Sequence, residues 1–377
     1  MKIVIATSRP FHLIHLAREL ANNGHEVSVF GYMPQARIHL YKPGKAKYSS
    51  LFLNLLPDTA FALQRGLRRL QHAATERLLS SVDKFVAQRM PECDVFIGLS
   101  GVAVESLKIA KERYGALTIC DRGSSHVLTQ QKALADRQAS RLSDYYVERE
   151  LVGYAAADFV TVPSLYAERS FIENGFDTGR LFVNNYGVDL ARFQSIGRLK
   201  QNGQTCQALF VGGWSYQKGC DVIASAIEID SNLYVTHIGS KGDLEFPRSA
   251  QFQALGHIRN DKLAEYYSSH DVLMLPSRQD GFGMVLLEAM ACGIPIVASH
   301  NTGAPDIKKI VSNPDSVTLM EDVSPGALLG AIRYFKEHQA TDSSELLSDS
   351  EKSYFTWSEY GRRYSEFVIS VRKGGWQ

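Results

Sequence analysis

Two carboxylates flank a glycine-rich turn in the last third of the chain. Asp280 stands immediately before a Gly-Phe-Gly tripeptide, and Glu288 lies further along the same stretch. If a helix begins at the glycines, the N–H groups at its start are free to bind phosphate oxygens or sugar hydroxyls. Glu288 then lies about 7–8 Å along the axis, with its side chain tilted back toward the helix start. The amides predicted to bind such a ligand are those of Gly281, Phe282 and Gly283.

The residues around this turn predict a strand, a helix and a second strand. Residues 271–276 form a short apolar run of the kind that is buried on both faces of a parallel sheet. Residues 284–291 are predicted to form a helix, with Gly293 as its left-handed cap and Pro295 preventing its continuation. Residues 294–298 form the second strand. Such a βαβ unit binds ligands beyond the carboxyl ends of its strands.

The same stretch resembles glycosyltransferase family 4, whose members are retaining, nucleotide-sugar-dependent enzymes with the GT-B fold. The family motif is a Glu-x7-Glu pair that spans Gly-Phe-Gly, and its second glutamate begins Glu-Ala-Met-Ala-x-Gly-x-Pro. Residues 288–295 match the second part, and Asp280 replaces the first glutamate. The resemblance implies that Glu288 holds the donor ribose and that Asp280 approaches the donor sugar.

A loop earlier in the chain, just before a helix predicted to start at Cys220, supplies a cation. Lys218 stands at the helix start after a glycine-bearing turn, which is a good position for a diphosphate. The family has Gly-Arg-x4-Lys-Gly here, so Lys218 matches the lysine and Gly213 occupies the arginine position. Lys218 is therefore expected to bind the leaving diphosphate, with Gly213 in the same donor loop. Arg9 and Arg278 are candidates for the missing cation.

A polar cluster at residues 121–126 follows another predicted strand, at the edge where α/β proteins build their sites. The resemblance places His126 in the active site, where a neutral imidazole offers one donor and one acceptor to the transferred sugar. A loop histidine that serves only packing is the alternative. Arg122 is a further candidate in this cluster.

The first turn, residues 7–12, lacks the glycines of a dinucleotide or phosphate loop. The G-x-G-x-x-G pattern is absent, which counts against a nicotinamide dehydrogenase. The family usually has glycines here as well, so Arg9 or His12 is a candidate to replace the backbone contacts. Each is alternatively a loop residue with no catalytic part.

Three further positions are expected at the donor. Residues 255–258 resemble the family's Gly-x-Val/Ile segment, whose backbone meets the nucleotide base, so Ile258 is assigned to the base. Thr302 and Gly303 follow another predicted strand, and their amides are expected to add to the phosphate cradle. Backbone recognition carries no side-chain code, so UDP-sugar and GDP-sugar donors both stay open.

Length and composition bound the class of protein. The 377 residues suffice for two domains, and 45% hydrophobic with 21% charged residues is typical of a soluble globular protein. A net charge of +1 gives no indication of a nucleic-acid partner. Five scattered cysteines without a C-x-x-C pair favour a reducing cytoplasm over a disulfide framework or zinc site. No metal or other cofactor is expected besides the donor substrate, and no apolar run is long enough for a membrane span.

The predicted fold class is α/β, with the two Rossmann-like doubly wound domains of GT-B facing each other across a cleft. Residues 1–195 are the acceptor-side domain, and residues 205–355 are the nucleotide-sugar-binding domain. The polar stretch 195–205 is the linker. Residues 356–372 are predicted to form a helix that returns to the first domain, as is common in GT-B proteins.

A basic segment lies between residues 37 and 72. It holds seven Lys or Arg against the single acid Asp58, interleaved with leucines and phenylalanines. A basic helix with an apolar face can lie on an anionic membrane surface. A surface helix whose basic residues merely face water explains the pattern equally well, so peripheral membrane contact is one of two alternatives.

The expected function is that of a cytoplasmic, retaining, hexosyltransferase-type glycosyltransferase. It would move a sugar from a nucleoside diphosphate to a glycan or lipid-linked acceptor, in surface polysaccharide biosynthesis. Gly213, Asp280 and the glycine-poor first turn motivate one alternative, a sugar-nucleotide-binding protein of the same shape that has lost turnover. A second alternative is a nucleotide-sugar epimerase of GT-B shape, whose acid/base carboxylates the sequence does not show.

Overall fold

A computed structural model describes residues 1–8, 11–51, 68–136, 142–195, 205–338 and 346–375. Within these ranges the strands form two parallel sheets, one in each half of the chain. The strands of the first sheet are β1 (Lys2–Thr7), β2 (Glu26–Gly31), β3 (Lys47–Ser50), β4 (Val95–Leu99), β5 (Leu117–Asp121), β6 (Phe159–Val162) and β7 (Leu181–Val183). The strands of the second sheet are β8 (Cys206–Val211), β9 (Leu233–Ile238), β10 (Phe252–Ala254), β11 (Val272–Leu275), β12 (Ile296–Ala298) and β13 (Val317–Leu319).

The order of the strands is that of two doubly wound domains. The first sheet runs β3-β2-β1-β4-β5-β6-β7 and the second runs β10-β9-β8-β11-β12-β13. In both sheets the chain starts near the centre and then switches sides, which opens a crevice at the carboxyl ends of the central strands. The prediction of two Rossmann-like domains is confirmed.

Helices cover both faces of each sheet, so the central strands are buried on both sides and are almost wholly apolar. The α-helices of the first half are His12–Asn22, Arg68–Arg89, Glu105–Tyr114, Val127–Ala133, Asp144–Ala156 and Leu165–Glu173. Those of the second half are Cys220–Ile229, Leu263–Ser269, Met284–Ala291, Ala304–Ile310, Pro325–His338, Asp349–Tyr354 and Trp357–Arg372.

The βαβ unit predicted around the glycine-rich turn is present, with both strands shorter than expected: β11 covers Val272–Leu275 where residues 271–276 were predicted. Its helix is Met284–Ala291, and Gly293 adopts the left-handed conformation at φ 82°. The strand predicted over residues 294–298 begins at Ile296. Pro295 has no N–H to give to the ladder, and its carbonyl accepts a bond from the Leu273 amide at 3.0 Å. Regular pairing therefore starts one residue after the proline.

The last helix, Trp357–Arg372, leaves the second half and packs on helix His12–Asn22 of the first domain. Gly361 permits the close approach, since a Cβ there would lie 2.1 Å from the Cβ of Glu19. The Trp357 ring stacks on His15 with 4.3 Å between ring centroids. The predicted return of the C-terminal helix is confirmed.

Some predictions fall outside the described residues. These are Arg9, most of the linker (residues 196–204) and residues 52–67 of the basic segment. Among the helices in the described ranges, none combines the length and apolar character needed to cross a bilayer.

Docking of the last helix gives a stability prediction. Gly361→Ala should lower the free energy of unfolding by about 1–3 kcal/mol, because overpacking against Glu19 outweighs the helix-propensity gain of about 1 kcal/mol. Gly330→Ala is the matched control: it lies in helix Pro325–His338 with nothing within 4 Å of an added Cβ. This change should raise stability by about 0.5–1 kcal/mol. Urea unfolding measures both, and equal stabilisation by both alanines would contradict the packing account.

Candidate functional site

Three loops meet at the carboxyl ends of β8, β11 and β12. They comprise residues 212–219, 276–283 and 299–303. Backbone bonds tie them together: the amide of Arg278 donates to the Gln217 carbonyl at 2.9 Å, and the amide of Asp280 donates to the Asn301 carbonyl at 2.9 Å. The middle loop is thus held on both sides, at the sheet edge where such folds bind ligands.

Lys218 and Asp280 come together across the first two of these loops. Gly219 makes this possible because it has φ +71° and a Cβ at that position would lie 2.0 Å from the Pro276 carbonyl oxygen. The Lys218 ammonium forms an ion pair with the Asp280 carboxylate. The two side chains are 26% and 16% exposed, so the pair is half-buried and reachable by a ligand.

Backbone amides converge next to this ion pair. Gly283, at φ +79°, is the N-cap of helix Met284–Ala291. The amides of Gly281, Phe282 and Gly283 donate no hydrogen bond to any described residue, although all three residues are buried. Buried amides are almost always paired in proteins. Three such donors at a helix start, beside a lysine, form a receptor for an anion.

The expected contribution of Thr302 and Gly303 is only partly available. The amide of Gly303 donates to the Phe282 carbonyl at 2.7 Å, so it is already used. The Thr302 hydroxyl donates to the Ser299 carbonyl at 2.9 Å and caps the Ala304 amide. Gly303 serves instead to admit the buried Phe282 ring, which a Cβ there would approach to 2.4 Å. The backbone of this loop therefore shapes the turn, and the Phe282 side chain is a packing element.

Glu288 is the one charged residue of its helix and is half-buried. Its carboxylate accepts a hydrogen bond from the Tyr267 hydroxyl at 2.8 Å. Burial raises the pKa of Glu288, whereas the Tyr267 bond and the charge of Arg192 act in the opposite direction. Tyr267 was not predicted as a site residue, and its only sequence signal is its place four residues before Asp271. The Glu288 carboxylate is therefore a hydrogen-bond acceptor held in a fixed orientation, five residues along the helix from the Gly283 N-cap.

His126 lies inside the first domain rather than at the ion pair. It is the N-cap of helix Val127–Ala133, and its Nδ1 accepts from the Leu128 amide at 3.3 Å. Its ring is buried against Tyr154 and Phe171. Burial lowers the pKa of His126 to about 4, with Arg122 adding to the effect, so the imidazole is neutral at neutral pH. Its hydrogen bonds and ring contacts with described residues lie in the first domain, which favours the packing alternative over the catalytic prediction.

The arginines predicted at the site are bound to carboxylates. Arg122 is buried and donates to Glu150 at 2.7 Å within the first domain. Arg278 donates two bonds of 2.7 Å to Asp221 and lies over the Tyr216 ring at 3.7 Å. In the structure each guanidinium is held by a carboxylate of its own domain, Arg122 by Glu150 and Arg278 by Asp221. Their carboxylate partners are 28 and 57 residues away in sequence, and no local pattern reveals them.

His12 is also committed inside the first domain. Its Nε2 lies 2.5 Å from Asp121 Oδ1, and Thr161 donates to the other oxygen of that carboxylate at 2.8 Å. The ring is buried and packs on Tyr186 at 4.6 Å between centroids. His12 is therefore held at the carboxyl ends of β1 and β5 by Asp121 and Tyr186.

Gly213 and Ile258, both predicted to bind the donor, lie in loops that follow the carboxyl ends of β8 and β10. Gly213 is half-buried, and a Cβ there would meet only Ser240 Oγ at an ordinary 3.6 Å. The position can therefore hold a Cβ without a clash. Ile258 is half-buried in the loop after β10, where the Gly256 carbonyl accepts from the Gly239 amide at 2.9 Å. Ile258 thus follows the edge strand, on the side where the loops of the neighbouring strands meet.

The chain is similar in sequence to known glycosyltransferases. Residues 205–335 match a family model described as "Glycosyl transferases group 1". The D-inositol 3-phosphate glycosyltransferase of Geodermatophilus obscurus is 28% identical over 284 residues, which are 66% of this chain and 60% of that protein. The chain spans about half the length of the curated relatives it matches. These similarities support a glycosyltransferase.

Solved structures resemble the whole chain. Sucrose-phosphate synthase from Thermosynechococcus elongatus superposes with a TM-score of 0.69 at 17% identity, covering 99% of this chain and 100% of that one. The Anabaena protein HepE in complex with UDP-glucose superposes with a TM-score of 0.66 at 14% identity, covering 98% and 100%. The fold is the predicted GT-B fold.

The Tyr267 contact gives a pH-dependent prediction. Tyr267→Phe should lower the free energy of unfolding by about 1–3 kcal/mol at neutral pH, because the Glu288 carboxylate loses a buried donor. Without that bond the folded-state pKa of Glu288, already raised above 4.5 by burial, rises further. The loss should therefore be small below pH 4.5, where the carboxyl is protonated in both states, and should grow as the pH rises through the folded-state pKa.

Urea unfolding from about pH 4 to pH 8 measures this dependence. Tyr266→Phe is the matched control, because the Tyr266 hydroxyl makes no hydrogen bond to a described residue. A loss that is the same at every pH would contradict the assignment.

Proposed function

We propose that this chain is a retaining glycosyltransferase that transfers a sugar from a nucleoside diphosphate to a glycan or lipid-linked acceptor. The observation that carries the proposal is the meeting of Lys218 with the amides of residues 281–283 at the carboxyl ends of parallel strands. A cation and free amides at a helix start bind a diphosphate. The similarity of residues 205–335 to glycosyltransferases supports this reading.

The Lys218–Asp280 ion pair suggests how the donor enters. A bound diphosphate offers Lys218 a more highly charged partner than Asp280. Once Lys218 turns to the phosphate, the Asp280 carboxylate is free to accept hydrogen bonds from hydroxyls of the donor sugar. Glu288, with its carboxylate aimed by Tyr267, is the proposed ligand of the ribose hydroxyls.

Departure of the diphosphate is the step that these groups accelerate. Negative charge grows on the leaving oxygens in the transition state, so Lys218 and the prepositioned amides stabilise it more than the ground state. The acceptor hydroxyl attacks from the face that the diphosphate leaves, and a leaving phosphate oxygen takes the acceptor proton. His126 is not required as a base in this scheme, which accords with its burial.

The proposed location of the protein is the cytoplasm, at the inner face of a membrane. The five cysteines are buried and form no disulfide with one another, which supports a reducing cytoplasm. A lipid-linked acceptor would place the protein at the inner face of a membrane, with residues 37–72 as the proposed contact. Synthesis of a surface polysaccharide is the role that combines these features.

An activity assay tests the proposal directly. The purified chain would be incubated with UDP-sugars and GDP-sugars and with glycan and lipid-linked acceptors, starting from UDP-glucose because HepE was solved with it. We expect transfer with the donor's anomeric configuration retained, as read by NMR of the product. Transfer with inversion would refute the retaining mechanism, and absence of both UDP and GDP binding would refute the donor site.

One observation favours a second candidate, a sugar-nucleotide-binding protein without turnover. Arg122 and Arg278 are bound to carboxylates, and Gly213 stands at the family's arginine position. The leaving group is then stabilised by Lys218 with less help than the family motif provides. Tight nucleotide binding without transfer to any acceptor would establish this candidate.

Loss of the cation should weaken binding in a defined way. Lys218→Ala should reduce affinity for nucleoside diphosphate by about 1.5–3 kcal/mol, the usual range for a charged hydrogen bond. Titration calorimetry with UDP and GDP measures the change. The matched control is Lys262→Ala, an exposed lysine on the same domain that pairs only with Glu265, and its affinity should equal that of wild type. Unchanged affinity in Lys218→Ala would remove Lys218 from the site.

Restoring the family arginine should act in the opposite direction. Gly213→Arg should tighten nucleoside diphosphate binding by about 1.5 kcal/mol, because it adds a charged donor where an added Cβ meets no clash. The reverse result, weaker binding with an intact fold, would place the diphosphate away from the 212–219 loop. Gly213→Gln adds a side chain of similar reach without charge and separates the electrostatic gain from the effect of bulk.

A further inference from the structure

We propose that Gln279 is a positioning residue that fixes the loops of the Lys218–Asp280 pair to the first domain, so that Asp280 is correctly placed for sugar transfer only when the two domains are in contact. The inference rests on the proposed function for its catalytic consequence, whereas its structural part stands on the contacts alone. Gln279 is not proposed to touch the substrate. It acts by holding in place the loops that it joins.

Gln279 joins three segments through one side chain. It is completely buried, and its Oε1 accepts from the Gln217 side-chain amide at 2.6 Å. Gln217 precedes Lys218, and Gln279 itself precedes Asp280. The Nε2 of Gln279 donates across the domain boundary to the Ser124 hydroxyl. A single amide group therefore links both members of the ion pair to the 121–126 loop of the first domain.

Gly281, on the other side of Asp280, also contacts the first domain. Its carbonyl accepts from the Ser164 hydroxyl at 2.5 Å. A Cβ at this position would lie 2.0 Å from the Gly123 carbonyl oxygen and 2.8 Å from the Ser124 Cα, both in the first domain. Gly281 has no positive φ, so the demand for glycine comes from the neighbouring domain. Asp280 is thus held between two residues that touch the first domain.

A separate set of hydrogen bonds across the domain boundary can be used to detect whether the two domains are in contact. Asp306 of the second domain is buried and accepts from the Leu165 amide and the Asn185 side chain of the first domain, at 3.0 Å each. Leu165 is the first residue of helix Leu165–Glu173, so its amide has no acceptor within its own helix. Its protection from hydrogen exchange therefore depends on the Asp306 bond.

The consequence for transfer follows from geometry. Reacting groups must be held to within a fraction of an ångström, and a misplacement of about 1 Å can cost about 100-fold in rate. If the domains separate, the 279–281 loop loses its contacts on the acceptor side and Asp280 is no longer fixed relative to the acceptor. The diphosphate amides and Lys218 belong to the second domain, so nucleotide affinity is retained. Loss of Gln279 should therefore act on kcat rather than on nucleotide binding.

Two variants with matched controls test this inference in the full-length chain. Gln279→Ala removes the amide bridge, and Gly281→Ala places a Cβ against Gly123 and Ser124 of the first domain. Gln253→Ala is the control for an exposed glutamine of the same domain, and Gly330→Ala is the control for a glycine with open space. Hydrogen exchange at the Leu165 amide reads the seating of the domains without any ligand.

Both variants should speed exchange at Leu165 by at least about tenfold while amides of β11 keep their protection, and both controls should leave Leu165 unchanged. With an active acceptor, kcat of Gln279→Ala should fall about 10- to 100-fold, and its affinity for UDP should stay within about threefold. Unchanged exchange at Leu165 in both variants overturns the inference, as does a loss of UDP affinity equal to the loss of kcat. If wild type transfers no sugar, the proposed function fails, and the exchange result still decides this inference.

Discussion

The half-buried ion pair between Lys218 and Asp280 is the contact on which the site depends. Its members are 62 residues apart and meet because β8 and β11 are neighbouring parallel strands whose following loops face each other. A partly exposed pair of this kind contributes little to stability, since desolvation offsets most of the attraction. Its value lies in holding a cation and a carboxylate where each can exchange its partner for a part of the same ligand.

Burial and hydrogen bonding oppose each other at Glu288. The surrounding apolar helix favours the neutral acid, and the Tyr267 hydroxyl favours the carboxylate. Ribose hydroxyls would add further donors to this acceptor and would relieve part of the desolvation penalty. The protein therefore accepts a local cost in the free state for a contact that becomes favourable when the donor binds, which is common at functional sites.

Those parts of this site that depend on local sequence patterns could be predicted from the sequence. The helix at residues 284–291 was predictable because Gly283, Gly293 and Pro295 each impose a backbone conformation on their own position. The roles of Arg122 and Arg278 were not, because a guanidinium is placed by a carboxylate that only the fold brings near. The same holds for Gln279, whose partners Gln217 and Ser124 are 62 and 155 residues away. Periodicity and capping reveal elements, whereas pairing across loops requires the assembled sheet.

The return of the last helix limits how the two halves can move. The chain passes out of the first domain shortly after Val188 and comes back at residues 355–356. The Val188 amide donates to the Phe355 carbonyl at 2.7 Å, and Val188 forms a bridge with Thr356. The two crossings of the chain are therefore joined to each other at Val188. We expect this joined crossing to serve as the hinge in any movement of the halves, because rotation about it keeps the contacts of Val188 with Phe355 and Thr356 intact.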